Sequence, residues 1–207
     1  MTDAERLARL LEEIERDRTT VMELVCGTRT PEPWRLYPGE SGIFSRKTRS
    51  QFYFHTHGGD RDEAGHVHTV RLFPDRTAHL VAISMAPGGW PRALFTVNRW
   101  AIGDAEETAE SLERYARRFL VEESRGDPRV IRFVNLMFRV FLPEIERLQD
   151  MKAAALRAYR LAHPGTNPFE DRSLEVLTHV EIDVRNTLLA AGAAKGGNTR
   201  EAVASKK

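Results

Sequence analysis

The chain has 207 residues, with 31 Lys and Arg against 30 Asp and Glu, so its formal net charge is +1. This length suffices for one ordinary domain with its own core. A nearly balanced charge argues against a large single-sign surface, so we expect neither a nucleic-acid nor a membrane partner. The single cysteine, Cys26, excludes an internal disulfide framework and a metal cage built from cysteines alone.

The first 48 residues predict one helix followed by an irregular connector. Apolar side chains recur at helical spacing through residues 3–25, and Gly27 is expected to end the helix. This start is charged and amphipathic where a signal peptide would be apolar, which favours a cytoplasmic location. Residues 27–48 combine prolines and glycines without sustained periodicity, so we predict an irregular, partly packed segment.

Between positions 50 and 100, short runs rich in β-branched and aromatic residues predict four strands. The runs are SQFYFHTH, HVHTVRLF, AHLVAISMA and RALFTVNRW, and residues typical of turns separate them. Four such runs in succession indicate an antiparallel meander. Both faces carry apolar residues, so we expect flanking helices to cover part of each face.

Beyond the fourth run the pattern favours helices. Asp104 followed by Glu107 resembles a capping box. Asp127 and Pro128 place a cap and a first-turn proline before a very apolar helix. Pro143 either kinks that helix or begins the next one.

A last helix is predicted to begin between Pro168 and Asp171 and to carry an apolar stripe from Leu174 to Leu188. The expected fold is therefore α+β, a four-stranded antiparallel meander flanked by an N-terminal helix and three to four C-terminal helices. We expect a single domain over residues 1–190. Residues 191–207 are expected to be disordered.

Four of the seven histidines lie within residues 55–68, where an even distribution would place about 0.5. They form two His-x-His pairs, His55 with His57 and His66 with His68. Side chains of a strand alternate between faces, so each pair faces one way. If His57 pairs with His66 across a hairpin, all four rings share a face at about 5 Å across the strands.

Imidazoles on such a grid predict a metal site with His55, His57, His66 and His68 as ligands. Neutral imidazole binds zinc, iron and copper, and the choice among these ions stays open. A zinc ion would need nitrogens at about 2.0–2.1 Å. The alternative is that the histidines are structural and hydrogen-bond to backbone or carboxylates.

Several acidic residues are candidates to join this site. Glu63, in the loop between the histidine pairs, is our candidate catalytic proton carrier. Asp60 and Asp62 in the same loop are candidate ligands or hydrogen-bond acceptors for an imidazole. Glu170 and Asp171 begin the predicted last helix, where acidic residues also stabilise the helix dipole.

The hairpin pairing extends the histidine face over His79, Val81 and Ile83, which predicts a ligand pocket with apolar walls. Tyr53, Asn98 and Arg99 are candidate substrate-binding residues for it. Arg99 has the donors to clamp a carboxylate or phosphate. An arginine in this position more often pairs with a local acid.

Several segments together resemble a known but uncharacterised group of proteins. They are SQFYFHTH, GHVHTVRLF, HLVAISM, LFTVNRW and AHPGTNPFEDRSLEV with IDV. The combination resembles a bacterial family described only as a domain of unknown function. The resemblance implies that the histidine pairs, the Asn98–Trp100 run and the PFEDR segment belong to one fold, and it implies no activity.

The leading interpretation is a cytosolic metal-binding protein. As a metal-dependent enzyme, it would use three protein nitrogens and an open position to activate water or a substrate oxygen. The alternative is a non-enzymatic interaction or ligand-binding module in which the histidines are structural or sense pH. A small-molecule ligand and a homo-oligomer are both compatible with the sequence.

Overall fold

A computed structural model of the chain describes residues 1–58, 62–102 and 106–187. Its centre is a six-stranded antiparallel sheet whose strands, β1 to β6, lie side by side in chain order. They span Ile43–Ser45, Ser50–His55, Gly65–Leu72, Thr77–Met85, Pro91–Val97 and Val176–Glu181. The predicted α+β class is confirmed, and the predicted four strands are too few.

Six α-helices and one short 3-10 helix, Glu123–Arg125, accompany the sheet in the described chain. The α-helices, α1 to α6, are Asp3–Arg16, Val21–Cys26, Arg99–Ile102, Ala109–Ala116, Pro128–Val140 and Leu142–Ala162. The predicted first helix is in fact two helices, because Arg18 has a positive φ and Thr20 begins a new capping box with Glu23. None of the described helices is both long and apolar enough to cross a lipid bilayer.

The two unpredicted strands lie at the edges of the sheet. β1 lies inside the predicted connector, and its three residues are too few to show a period. β6 replaces the central part of the predicted last helix, and within the described ranges helical residues follow at 184–187, while Leu188 lies outside those ranges. Leu94 pairs with Val180 and Phe95 with His179. The apolar spacing of this short segment fits a helix or a strand, and its pairing with β5 makes it a strand.

Some predictions concern residues that the structure does not describe. Asp104, Asp60 and the tail 191–207 lie outside the described ranges. The helix expected after Asp104 is α4, which begins at Ala109 with Thr108 as its cap.

The main hydrophobic core lies between one face of the sheet and the helices. It joins sheet residues such as Phe54, Ile83 and Leu94 to helix residues such as Phe133 and Leu148, all of them fully buried. The opposite face carries only a small cluster of Ala82, Phe95 and Val97, against which Ile102 packs. The histidine pairs belong to this second face.

A β-bulge determines which residues of β4 share the histidine face. Thr69 pairs with Val81 but Val70 pairs with His79, so β4 contains one extra residue there, Leu80. An extra residue reverses the alternation beyond it. The predicted pocket wall of Val81 and Ile83 is therefore wrong, because both side chains pack in the main core.

Candidate metal centre

The β2–β3 hairpin places the histidines in a register that differs from the predicted one. His55 pairs with His66, and Tyr53 pairs with His68. The shift is two residues, so the side chains keep their face, because strand side chains alternate with period two. His57 lies beyond the end of β2 and has no strand partner in the hairpin.

Gly65 sets this register at the start of β3. Its φ is +146°, and an added Cβ would lie 2.6 Å from the carbonyl oxygen of His55 and 2.5 Å from the ring of Phe54. A side chain cannot occupy that position, so the backbones of β2 and β3 approach closely only because the residue is glycine. The next residue, His66, is thereby held opposite His55.

Three imidazoles converge to form a group that we call the three-histidine group: His55, His66 and His68. Their ligand atoms all lie within 4.8 Å of one another. The Nε2 atoms of His55 and His66 are 2.6 Å apart. His66 and His68 are buried and His55 is half-buried, so the group lies at the edge of the protein interior.

His57 lies beside the three-histidine group but is not part of it. Its ring centroid is 5.0 Å from that of His55 and 5.1 Å from that of His66. The ring stacks on Trp34 at 4.2 Å with an interplanar angle of 15°. The structure thus brings together three of the four predicted ligands and places the fourth against an aromatic neighbour.

Each buried imidazole of the group has a polar partner on its other nitrogen. Glu63 Oε2 lies 3.3 Å from His66 Nδ1, and His79 Nε2 lies 3.2 Å from His68 Nδ1. A proton held on Nδ1 leaves the Nε2 lone pair free to bind a metal. His79 was predicted to lie on the histidine face but was not named among the ligands, and it does lie on that face, opposite Val70.

The environment of the group favours neutral imidazoles. Burial, followed by the nearby His66 and His57, lowers the pKa of His55 to about 4. Burial is also the main cause that lowers the pKa of His68 and of His79 well below the ordinary value. These rings are therefore neutral near pH 7, which is the form that binds metals.

Glu63 is ionised in this setting. Burial by itself would raise its pKa, but hydrogen bonds from His66 and Ser84 and the charge of nearby histidines lower the pKa overall. The carboxylate is therefore an acceptor for the His66 Nδ1 proton at neutral pH.

Of the three predicted substrate-binding residues, only Tyr53 lies beside the group, with its ring centroid 5.3 Å from that of His68. Asn98 is fully buried and donates from Nδ2 to the Pro168 carbonyl at 2.8 Å. The Arg99 guanidinium lies 4.8 Å over the Phe169 ring, in the lining of a different cavity. The roles of these residues in substrate binding stay predictions.

The remaining predicted carboxylates take part in local structure. The Asp62 backbone carbonyl accepts a hydrogen bond from Arg92 at 2.9 Å. Glu170 accepts one from Asn167 at 3.0 Å, and Asp171 accepts one from the Tyr159 hydroxyl at 2.6 Å. Their carboxylates are not among the groups that converge with the three histidines in the described chain.

A cavity of about 600 Å³ adjoins the three-histidine group, and we call it the aromatic cavity. The rings of Trp34, Tyr53, Phe95 and Trp100 contribute to its lining, together with Val97 and Ile102. The three histidines and Glu63 form one of its walls. An ion held by the histidines would therefore face this space.

One family profile, described as a domain of unknown function (DUF6969), matches residues 1–182. The matched range contains the three-histidine group and every residue that lines the aromatic cavity. No curated protein and no solved structure matches the chain. The family's description names no activity.

Proposed function

The chain belongs to this family of unknown function, DUF6969, and we propose that it is a metal-binding protein in which His55, His66 and His68 hold one transition-metal ion. The observation that carries this proposal is the convergence of three imidazole ligand atoms within 4.8 Å. Two of these imidazoles are buried, and each of the two has a polar group on its Nδ1 atom. Such support orients metal-binding histidines and fixes their tautomers.

The Nε2 atoms of His55 and His66 must move apart slightly when the ion binds. Nitrogens bound to tetrahedral zinc at about 2.0–2.1 Å lie about 3.3 Å from each other. The Nε2 atoms of His55 and His66 are 2.6 Å apart, so their rings must separate by about 0.7 Å. His55 is the half-buried member at the end of β2, so we expect its ring to move.

Without an ion, the close pair of rings is joined by a hydrogen bond between the two Nε2 atoms. Two Nε2 atoms at 2.6 Å form a hydrogen bond only if one of them carries a proton. Holding the proton there removes one lone pair from the group. An ion bound by both rings would take the place of that proton, because both Nε2 lone pairs would then be available to it.

The donor set consists of imidazoles, which suit zinc, iron and copper. Burial raises the pKa of the Cys26 thiol to about 12, so this residue stays protonated and does not offer a thiolate. Three protein nitrogens leave a position open for water or a substrate atom on the side of the aromatic cavity. Glu63 is our candidate proton carrier for a molecule bound there.

His79 is proposed to position His68 for the metal. The variant His79→Leu fills the buried position with an apolar side chain and removes the acceptor for the His68 Nδ1 proton. We expect zinc affinity to fall by about 10–100-fold, as is typical for loss of such a group. A chromophoric zinc chelator competing with the protein measures the affinity.

The matched control for this variant is His163→Leu, at an exposed histidine that stacks on Tyr159 and whose replacement we expect to leave affinity unchanged. Circular dichroism must show that both variants are folded. A folded His79→Leu protein with the affinity of the parent would contradict the positioning role.

The proposed function is tested directly on protein purified without a histidine tag. We expect one equivalent of metal per chain by elemental analysis and a higher melting temperature with Zn²⁺. Zinc at about 1,000 times its Kd would stabilise the protein by about 4 kcal/mol. That corresponds to an increase of roughly 8–16 °C for a chain of this size. Protein that holds no metal, and whose melting temperature does not respond to Zn²⁺, Fe²⁺ or Cu²⁺, would refute the function.

A further inference from the structure

We propose that the aromatic cavity binds an uncharged aromatic molecule bearing a hydroxyl group, with the hydroxyl directed toward the three-histidine group. Its contact with an ion rests on the function proposed above, whereas occupation of the cavity does not. Size, charge and ring content of the lining each support this class of ligand.

The size of the cavity suits a small organic molecule. Its volume of about 600 Å³ lies within the range of about 300–1,000 Å³ that is usual for such sites. Its floor includes Phe95 and Val97, which pack with Ala82 and Ile102 in the small hydrophobic cluster of the sheet. Because this floor is apolar, a ligand ring that covers it gains from the removal of apolar surface from water.

The charges of the cavity disfavour an anionic ligand. Among the described residues that line it, none is Lys or Arg, and the acidic ones are Glu63 and Glu175. One arginine contacts the lining from outside the cavity, where the Arg172 guanidinium lies 4.8 Å over the Trp100 ring. In the metal-free protein, a carboxylate on the ligand would therefore approach like charges with no Lys or Arg among the described lining residues as partner.

The exposure and backbone conformation of Trp34 point to an aromatic ligand. Its side chain is 68% exposed, although the residue has a φ of +66°, a conformation that costs energy for a bulky side chain. Its backbone N–H donates to the Thr56 carbonyl at 2.8 Å, and its ring stacks on His57. The protein thus holds a large flat ring at the cavity in a strained conformation, where it offers a surface on which another ring can stack.

The test compares two probes of the same shape with protein freed of metal by a chelator. We expect ¹⁹F NMR to show saturable binding of 4-fluorobenzyl alcohol and at least about tenfold weaker binding of 4-fluorobenzoate. Adding Zn²⁺ should tighten binding of the alcohol, because its oxygen would then contact the ion. Equal binding of the two probes, or no binding of the alcohol, would overturn the proposal.

Variants assign the binding to this cavity. Trp34→Ala removes an exposed ring, so the fold should survive, and we expect at least about fivefold weaker binding of the alcohol. Trp90→Ala is the matched control, because Trp90 lines a different cavity, and it should bind as the parent does. Unchanged binding in Trp34→Ala would overturn the assignment.

The two proposals fail in different ways. Binding of the alcohol that ignores Zn²⁺, in a protein that does bind zinc, would refute the orientation of the hydroxyl. Binding of the alcohol by a protein that takes up no metal would refute the proposed function and leave the cavity proposal supported.

Discussion

Replacing His55 by alanine is expected to abolish stoichiometric zinc binding. His55 is one of three converging ligands. Its loss should therefore lower zinc affinity by well over the 10–100-fold that is typical for loss of a group that supports a ligand. The side chain is half-buried, so the variant should fold. His66→Asn and His68→Asn should have the same effect on zinc, but both residues are buried, so their folding must be verified.

Two further variants make this experiment specific. His163→Ala removes an exposed histidine that stacks on Tyr159 far from the hairpin in sequence, and it should bind zinc as the parent does. His57→Ala should weaken binding less than His55→Ala, because the His57 ring stacks on Trp34. Equal losses for His55→Ala and His57→Ala would show that four histidines act as ligands rather than three.

Gly65→Ala is expected to cause a large loss of stability. The residue has a φ of +146°, and the new Cβ would lie 2.6 Å from the backbone oxygen of His55. Backbone strain costs about 1–3 kcal/mol, and overpacking costs about as much again. We therefore expect a loss of at least about 3 kcal/mol and a melting temperature lower by roughly 6–12 °C.

Gly88→Ala is the matched control for Gly65→Ala. An added Cβ at Gly88 would meet nothing within 4 Å, so we expect a change in melting temperature of no more than a few degrees. If Gly65→Ala melted at the temperature of the parent, the close approach of β2 and β3 would be wrong, and with it the pairing of His55 with His66.

The face on which the histidines lie could be predicted from the sequence, because a register error of two residues leaves strand side chains on the same face. The predicted pairing of His57 with His66 is wrong, and His55 pairs with His66 instead. Since the error is an even number, the rings of His55, His66 and His68 still share a face. The sequence of the loop between β2 and β3 does not indicate which two residues of the strands pair with each other.

The partners of the face could not be predicted, because a single inserted residue changes them. The bulge at Leu80 moves Val81 and Ile83 into the main core and places Ala82 on the histidine face. His79 precedes the bulge, so it stays on the histidine face opposite Val70 and contacts His68. Nothing in the run AHLVAISMA marks the insertion, since all of its residues suit a strand.

The sixth strand and the stack of Trp34 on His57 required tertiary information. The segment Val176–Glu181 fits a helix or a strand by its apolar spacing, and its pairing with β5 decides between them. Trp34 lies in the irregular connector, where the sequence predicts packing but no position. Its contact with His57 arises because the connector runs along the end of β2, where Trp34 bonds to Thr56.

X-ray absorption at the zinc edge of tag-free, zinc-loaded protein tests the central claim most directly. We predict a first shell that contains three imidazole nitrogens at about 2.0–2.1 Å, together with one oxygen ligand and no sulfur. The spectrum of His55→Ala, at equal zinc, should lose this three-imidazole shell. A first shell made of oxygens alone, or one that contains sulfur, would contradict the claim that these histidines bind the ion.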